Sequence, residues 1–391
     1  MLQVLIAGGG IGGLTLALAL SKHGIASRVF EARETPPREG AGIQLGPNAT
    51  RILRRLGLDS ALHSCAVVPE CIVVNDGQSG HELTRLPLGS WIANRHGAPY
   101  WVVHRADLYD ILWQEAASTT LIEIETGRTI ESVDDTTNAD LVTIEFTEGG
   151  TASGHVLVGA DGLWSRTRQH VAPDAKLEFA GAAAARAVIP RADLPSRFAE
   201  PATGVWLAPS AHVVHYPIKG GDEIAIIAIA TCDEPPAGWD SAVDTDVIAR
   251  RFDKMPGELR TFLGSVTEWR QWALYRAEHL APWSQNRTVL IGDAAHPILP
   301  FLAQGGAMAI EDGFELAAIL AEAGVNNLRT EIDAFGRHRQ KRVTKVQAAS
   351  IQNGQAYHLD GLAALARNVA LKTLPGSAFM RRYDWIYGYK S

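Results

Sequence analysis

The chain has 391 residues, 46% hydrophobic and 20% charged, with a formal net charge of −7. That composition suits a globular protein with a large core or two lobes, and the acidic balance argues against a nucleic-acid binder, which would carry a basic domain. Cys65, Cys71 and Cys232 are an odd set without metal-ligand spacing, and no run is apolar and long enough to span a bilayer, so a cytoplasmic protein off the membrane, without metal, is expected.

The apolar run Val4-Leu5-Ile6-Ala7 feeds directly into Gly8-Gly9-Gly10-Ile11-Gly12-Gly13, a buried strand entering a glycine-rich turn. Gly8, Gly10 and Gly13 fill the GxGxxG positions. The first permits the tight turn, the second admits a pyrophosphate, and the third lets helix and strand pack. A helix from Leu14 to about His23 then points its free N–H groups at the phosphates. A second strand ends Arg28-Val29-Phe30-Glu31, placing a carboxylate at the offset of ~20 residues suited to ribose hydroxyls. Since this unit opens the chain, no cleaved leader is expected.

A loop with Pro36, Pro37, Gly40 and Gly42 precedes a helix over Asn48 to Leu56. Trp101 to Arg105 reads as a strand end, Asp107 to Ala117 as a helix, and Leu121–Ile130 and Leu141–Phe146 as short β runs. A second nucleotide-type strand, His155 to Ala160, runs into Asp161-Gly162. From about 175 to 275 the pattern turns β-rich: Val205 to Ile218, a Lys219-Gly220-Gly221-Asp222 turn, then Ile224 to Ala230. A third strand, Thr288 to Ile291, meets Gly292-Asp293 and then a small-residue helix from Gly306 to Leu320. Helices close the chain, roughly Glu331–Gln352 and Gly361–Thr373. Arg337, Arg339, Lys341, Arg342 and Lys345 on the first read as a solvated basic face rather than a docking site for a pyridine nucleotide.

The reading is an α/β (α+β) fold: a discontinuous Rossmann-type domain of residues 1–175 and 276–391, with C-terminal helices. Into it is inserted a mostly antiparallel β-sheet substrate domain of 176–275, with a contribution from about 71–100. Asp293, at a strand end, can accept from a hydroxyl of a bound nucleotide. Gln304-Gly305-Gly306 opens a helix whose N–H groups can stabilise negative charge on a bound cofactor. Ala307, Ala309 and Gly313 keep that helix slim enough to approach the cofactor's ring. A second GxGxxG and a redox cysteine pair, the marks of a two-dinucleotide disulfide reductase, are missing.

Three junctions occur in order: Gly8-x-Gly10-x-x-Gly13, Gly159-Ala160-Asp161-Gly162-x-x-Ser165-x-x-Arg168, and Gly292-Asp293-Ala294-Ala295-His296-Pro297. Together they resemble the single-component (class A) flavoprotein aromatic hydroxylases, the group of salicylate, hydroxybenzoate and 6-hydroxynicotinate hydroxylases. Gly40-Ala41-Gly42-Ile43 with Pro47-Asn48, His104-Arg105-x-Asp107-Leu108, and the tail Asp384-Trp385-Ile386-Tyr387-Gly388-Tyr389 are similar to segments of that family.

The resemblance implies non-covalently bound FAD held by Gly8, Gly10, Ile11, Gly12, Gly13, Glu31, Ala32, Arg33, Gly42, Arg105, Asp161, Asp293, Pro300, Gly305 and Gly306. It implies transient NADH or NADPH docking, with Arg168 an ionic anchor, and O2 adding at flavin C4a to give a hydroperoxide that hydroxylates a small aromatic acid. Pro300 is expected to hold extended, donor-free backbone beside the reacting region. Deprotonating a phenol raises its electron density, so a base is wanted near the substrate. On the strand Ala211 to Pro217, the period of two puts His212, Val214 and Tyr216 on one face and Val213, His215 and Pro217 on the other. His212 and Tyr216 match a pair in the hydroxybenzoate branch and are the catalytic candidates, with His215 behind them. Val214, Leu207 and Phe301 are candidates for the pocket wall, and Arg186 for the substrate carboxylate. Decarboxylative hydroxylation, a halogenase, an oxidase and a redox-sensing flavoprotein stay open as alternatives. A homodimer is the default assembly.

Overall fold

The computed structural model describes residues 2–391 except 36–40, 139, 239, 278–281 and 325–326. Pro36, Pro37 and Gly40 of the loop expected before Asn48 therefore lie outside the described residues. One sheet runs Ser284–Gln285, Thr288–Leu290, Val156–Gly159, Gln3–Ala7, Ala26–Glu31, Ile122–Thr126. Its neighbours pair parallel apart from the terminal hairpin. Ranked along the chain, the parallel strands in this order are the fifth, fourth, first, second and third, so the winding reverses between Gln3–Ala7 and Val156–Gly159. Ligands of such sheets bind beyond the strand ends at the reversal. The turns Gly8–Gly13 and Ala160–Gly162 both leave from that point.

Burial explains why Val4 to Ala7 shows no polar alternation. Val4 and Ile6 face the helices Ile11–Lys22 and Gly305–Glu322, while Leu5 and Ala7 face a three-stranded antiparallel sheet, Ile130–Asp134, Val142–Phe146 and Thr151–Gly154. A strand covered on both faces is apolar throughout. The two helices touch through small residues. A Cβ on Gly313 would stand 2.9 Å from the Gly12 carbonyl oxygen, and one on Gly12 would stand 3.3 Å from the Ala309 Cβ. The slimness of Ala309 and Gly313, expected to serve a flavin ring, serves this helix contact.

A second sheet has the order Ser241–Val243, Trp269–Ala277, Leu177–Pro190, Glu223–Thr231, Ala211–Ile218, Thr203–Ala208, Cys71–Asp76, Glu82–Pro87. The expected single run Val205 to Ile218 is two strands turned at Pro209-Ser210, with Ser210 at φ 59°. Pro-Ser lacks the Asn-Gly or Asp-Gly signature of a two-residue hairpin, which hid the turn. Trp206, Val213 and Ile226 face the helices Thr245–Arg251 and Gly257–Gly264. The opposite face, with Val205, Val214, Tyr216 and Ile227, looks toward the nucleotide lobe and the C-terminal helices.

The long helix spans Leu328–Tyr357 and overturns the solvated basic face for two of its cations. Arg339 is fully buried and Arg342 is paired with Glu311, whereas Arg337, Lys341 and Lys345 are exposed. Phe335, Arg339, Val343, Val346 and Ser350 fall on one buried stripe at spacings of three and four. Among the described residues no helix is long and apolar enough to cross a membrane.

Candidate active site

The glycine turn separates into positions the fold demands and one it does not. Gly8 has φ 100°, and a Cβ there would lie 2.5 Å from the Ala160 carbonyl oxygen. A Cβ on Gly13 would lie 2.1 Å from the Gly8 carbonyl oxygen. Gly10 has an ordinary φ of −75°, and its Cβ would meet no protein atom within 4 Å. Nothing in the protein explains that glycine, and a pyrophosphate lying against the backbone does. No side chain caps the helix Ile11–Lys22, which leaves the N–H groups of Ile11, Gly12 and Gly13 for an acceptor. Glu31 fixes the turn: its Oε2 accepts from the Gly9 N–H at 2.9 Å and its Oε1 from the Arg33 N–H at 3.0 Å. Each oxygen keeps a lone pair for a ribose hydroxyl. Ala32 and Arg33 follow at the exposed rim.

The other two junctions are tied to one another. Asp161 accepts from the Ser165 hydroxyl and, at 3.0 Å, from both the N–H and the hydroxyl of Thr167, so its carboxylate holds its own turn. Arg168 donates at 3.1 Å to the carbonyls of Asp293 and Ala294, and also to that of Leu163. Its anchor is this set of carbonyls. Asp293 stands in the one-turn helix Gly292–Ala294, and among the described residues its carboxylate has no hydrogen-bond partner. The group is exposed by surface area because it opens into the cleft. Protein surrounds it closely enough that desolvation raises its carboxyl above the usual range, opposed by His296, Arg105 and Arg168. Arg105, first residue of the helix Arg105–Ser118, answers it across the cleft. A carboxylate so placed, poised to accept and lacking a protein donor, fits a ribityl chain.

Behind it, a buried ionic network sets the helix Gly305–Glu322. Asp312 accepts from the Gly292 N–H at 2.9 Å, from Arg339 Nε at 2.7 Å, and pairs with His296 at 2.5 Å. Burial alone would raise the Asp312 carboxyl; His296, Arg339 and the Gly292 N–H hold it down at about 2. Glu311 receives Arg339 at 2.9 Å and Arg342 at 2.6 and 2.7 Å. Asn48 donates to Gln304 at 3.0 Å and to Glu311 at 2.8 Å, so the residue before the helix is itself tethered. No side chain caps this helix either. A Cβ would meet nothing within 4 Å at Gly305, whereas at Gly306 it would reach Ile43 Cδ1 at 2.6 Å. Two bare helix starts thus bound one cleft, a donor set suited to the phosphates and to the electron-rich edge of a reduced flavin.

The second sheet closes the cleft. Tyr216 donates to the Gly42 carbonyl at 2.8 Å, and a Cβ on Gly42 would lie 2.3 Å from its ring. Burial raises the Tyr216 phenol above its usual range. The side chain therefore binds the second sheet to the segment Gly42–Leu45. His212 is buried with its Nδ1 2.8 Å from His358 Nε2, and burial, then His358, holds its pKa down at about 3. It is a neutral imidazole. Phe301 packs on His212 with ring centroids 5.6 Å apart and fits against Gly354, where a Cβ would lie 2.6 Å from it. Val214 is half-buried on the same face as His212. His215 points to the opposite face, between Phe198 and Phe262, and Leu207 packs with Val74 and Leu83. Arg186 bonds Asp240 at 2.7 Å and covers Trp272 at 4.9 Å.

One expectation fails in detail. Pro300 opens the single-turn helix Pro300–Leu302 instead of holding extended backbone; Leu299 before it is the extended residue, as the ring of a following proline requires. Ala303 then takes the left-handed conformation at φ 51° and leads into the helix start.

Sequence reasoning missed His358 and the pair Glu311–Asp312. The acidic pair and Arg339 had a signal, since each falls among apolar positions at helical spacing. His358 had none, because only the tertiary fold brings a helix end to the start of the strand Ala211–Ile218.

The chain was compared with known proteins. The FAD binding domain family matches residues 1–350. A 3-hydroxybenzoate 6-hydroxylase of Aquipseudomonas alcaligenes is 34% identical over 389 residues, covering 99% of this chain and 97% of that protein. A 6-hydroxynicotinate 3-monooxygenase of Pseudomonas fluorescens is 31% identical, covering 90% of this chain and 91% of the relative. Among solved structures, a salicylate hydroxylase substrate complex superposes with a TM-score of 0.84 at 25% identity, covering 100% of this chain and 96% of the other. With a dinucleotide cradle at its sheet reversal and relatives alike along its whole length, the chain belongs to the FAD binding domain family.

Proposed function

We propose that this protein is an FAD-dependent monooxygenase that uses NADH or NADPH and O2 to hydroxylate a small aromatic acid of the hydroxybenzoate or hydroxynicotinate kind. The reading rests on similarity to hydroxylases of such acids and on one feature of the cleft. A neutral, buried imidazole, His212, packs on Phe301, in the loop that leads into one of the two uncapped helix starts. Bound FAD supplies the redox chemistry that activates O2.

The residues of this chain do the rest. The turn Gly8–Gly13 and Glu31 would hold the dinucleotide end, with Ile11 and Gly12 offering N–H groups. Asp293 and Arg105 would hold its middle, and the helix start at Gly305 and Gly306 would serve the redox ring. The turn carrying Asp161 and Arg168 supports the Asp293 loop and would receive the reduced nicotinamide. Tyr216 positions the segment of Gly42, and Pro300 would shape the loop beside the ring. Phe301 and Val214 keep water from the substrate, and Arg186 orients its carboxylate. His212 Nε2 takes the phenolic proton, which raises electron density on the ring.

The test is NADH and NADPH oxidation by FAD-loaded protein with and without hydroxybenzoates and hydroxypyridine carboxylates. Stimulation by one of them, with peroxide low and the acid consumed, is expected. Oxidation indifferent to every compound would overturn the proposal.

A further inference from the structure

A base buried in the protein must pass its proton on, and the surroundings of His212 offer one route. His212 is 1% exposed and sits in the strand Ala211–Ile218. Its Nδ1 lies 2.8 Å from Nε2 of His358, the residue closing the helix Leu328–Tyr357. Among the described residues, Nε2 of His212 has no hydrogen-bond partner, while His358 is half-buried and reaches solvent.

Both rings are neutral. Burial, and after it the charge of Arg367, holds His358 down at about 4. Arg367 is kept in place by the carbonyls of Ala356 and Tyr357, at 2.8 and 3.0 Å. The other groups around the pair are the rings of Phe301 and Tyr357, whose phenol burial raises. Two neutral imidazoles at this distance share one proton, and among the described residues neither His212 Nε2 nor His358 Nδ1 has a hydrogen-bond partner.

We propose that His358 is the positioning residue of His212 and the next station for its proton. This rests on the reading of His212 as the base toward the substrate. His358 Nε2 accepts from Nδ1–H of His212, which fixes the tautomer whose Nε2 lone pair faces the cleft. On deprotonation the phenol O–H bond breaks and an N–H bond forms at His212 Nε2. The proton on His212 Nδ1 moves to His358 Nε2, and the proton on His358 Nδ1 goes to water. Both rings end neutral with exchanged tautomers. A proton returned along the same path to the product resets them.

The experiment has two parts, both on FAD-loaded protein. Nitrogen NMR of histidine-labelled enzyme, with His212→Gln to assign the signal, reads the tautomer without any substrate. We expect Nδ1–H in the parent and a switch to Nε2–H in His358→Phe, which keeps an aromatic ring in place. An Nε2–H tautomer in the parent, or no change in the variant, would overturn the proposal. The second part follows proton release on binding 3-hydroxybenzoate or salicylate as probes. His358→Gln should slow release about a hundredfold or more, within the ~10²–10⁴ typical of positioned proton transfer, and imidazole in solution should restore it in His358→Gly. Slow release in His212→Gln with normal release in every His358 variant would sink the relay and leave the base standing. Normal release in both would remove His212 as the base as well.

Discussion

Gly10 and Gly13 belong to the same turn, and the structure assigns them opposite failures. Gly13→Ala places a Cβ 2.1 Å from the Gly8 carbonyl oxygen, and no flexible side chain is there to move aside. Backbone must shift, and overpacking of this kind costs about 1–3 kcal/mol. The variant should melt lower with or without FAD. Gly10→Ala meets no protein atom within 4 Å and keeps an ordinary φ of −75°. It removes backbone freedom from the unfolded chain, so the apo protein should gain about 0.4–1 kcal/mol. The new methyl instead meets the pyrophosphate. Losing one charge-assisted hydrogen bond there is worth about 1.5–3 kcal/mol, or roughly tenfold to a hundredfold in FAD affinity. Melting of the apo forms and flavin-fluorescence titration separate the two. A Gly10→Ala protein with parental FAD affinity would refute the assignment of Gly10 to the phosphates.

Other expectations follow from single contacts. Arg339→Met leaves Glu311 and Asp312 buried without their shared cation, which should cost about 3–5 kcal/mol, read as a lowered urea midpoint; an unchanged midpoint would show that Arg342 and His296 suffice. Asp293→Asn should purify largely without FAD. Because the native Asp293 carboxyl is raised, the folded state binds more protons than the unfolded one above the group's ordinary 3.8, and stability falls as pH rises through that window. The apo Asn variant should therefore melt higher than the parent at neutral pH, and equal or lower melting would contradict the placement. His212 and His358 titrate lower in the folded state, at about 3 and about 4 against 6.5, so they add stability that is full above 6.5 and fades as pH falls below it. A plot of stability against pH for His212→Gln should be flatter between those limits, and an unaltered slope would place the pair in solvent. Tyr216→Phe loses its bond to Gly42, about 0.5–1.5 kcal/mol, and should loosen the segment Gly42–Leu45 in hydrogen exchange.

Local pattern carried far in this chain. The turns at Gly8, Asp161 and Asp293 are written in short strands that end on glycine and aspartate, because a phosphate or ribityl contact needs backbone at a strand terminus. The Ala211–Ile218 strand could be read for its faces, since a period of two puts His212 and His215 apart. What stayed hidden depends on distant packing. His358 follows a helix end 146 residues from its partner, and nothing beside it in the chain announces a strand. The engagement of the Asp161 carboxylate by Ser165 and Thr167 was hidden for another reason: the residues that bind a ligand and those that brace the turn are of the same type. Arg339 was misjudged because charge was weighed above its place on the Phe335–Val343 stripe.

The central claim is oxygen transfer to an aromatic acid at this cleft. Its most direct test is turnover of the FAD-loaded protein under heavy-isotope O2, with a hydroxybenzoate or hydroxynicotinate that stimulates NADH or NADPH oxidation, and mass analysis of the product. The account predicts one labelled oxygen atom in the ring product, lost together with coupling in His212→Gln. Product oxygen drawn from water, or oxidation of the acid with no oxygen gained, would contradict it.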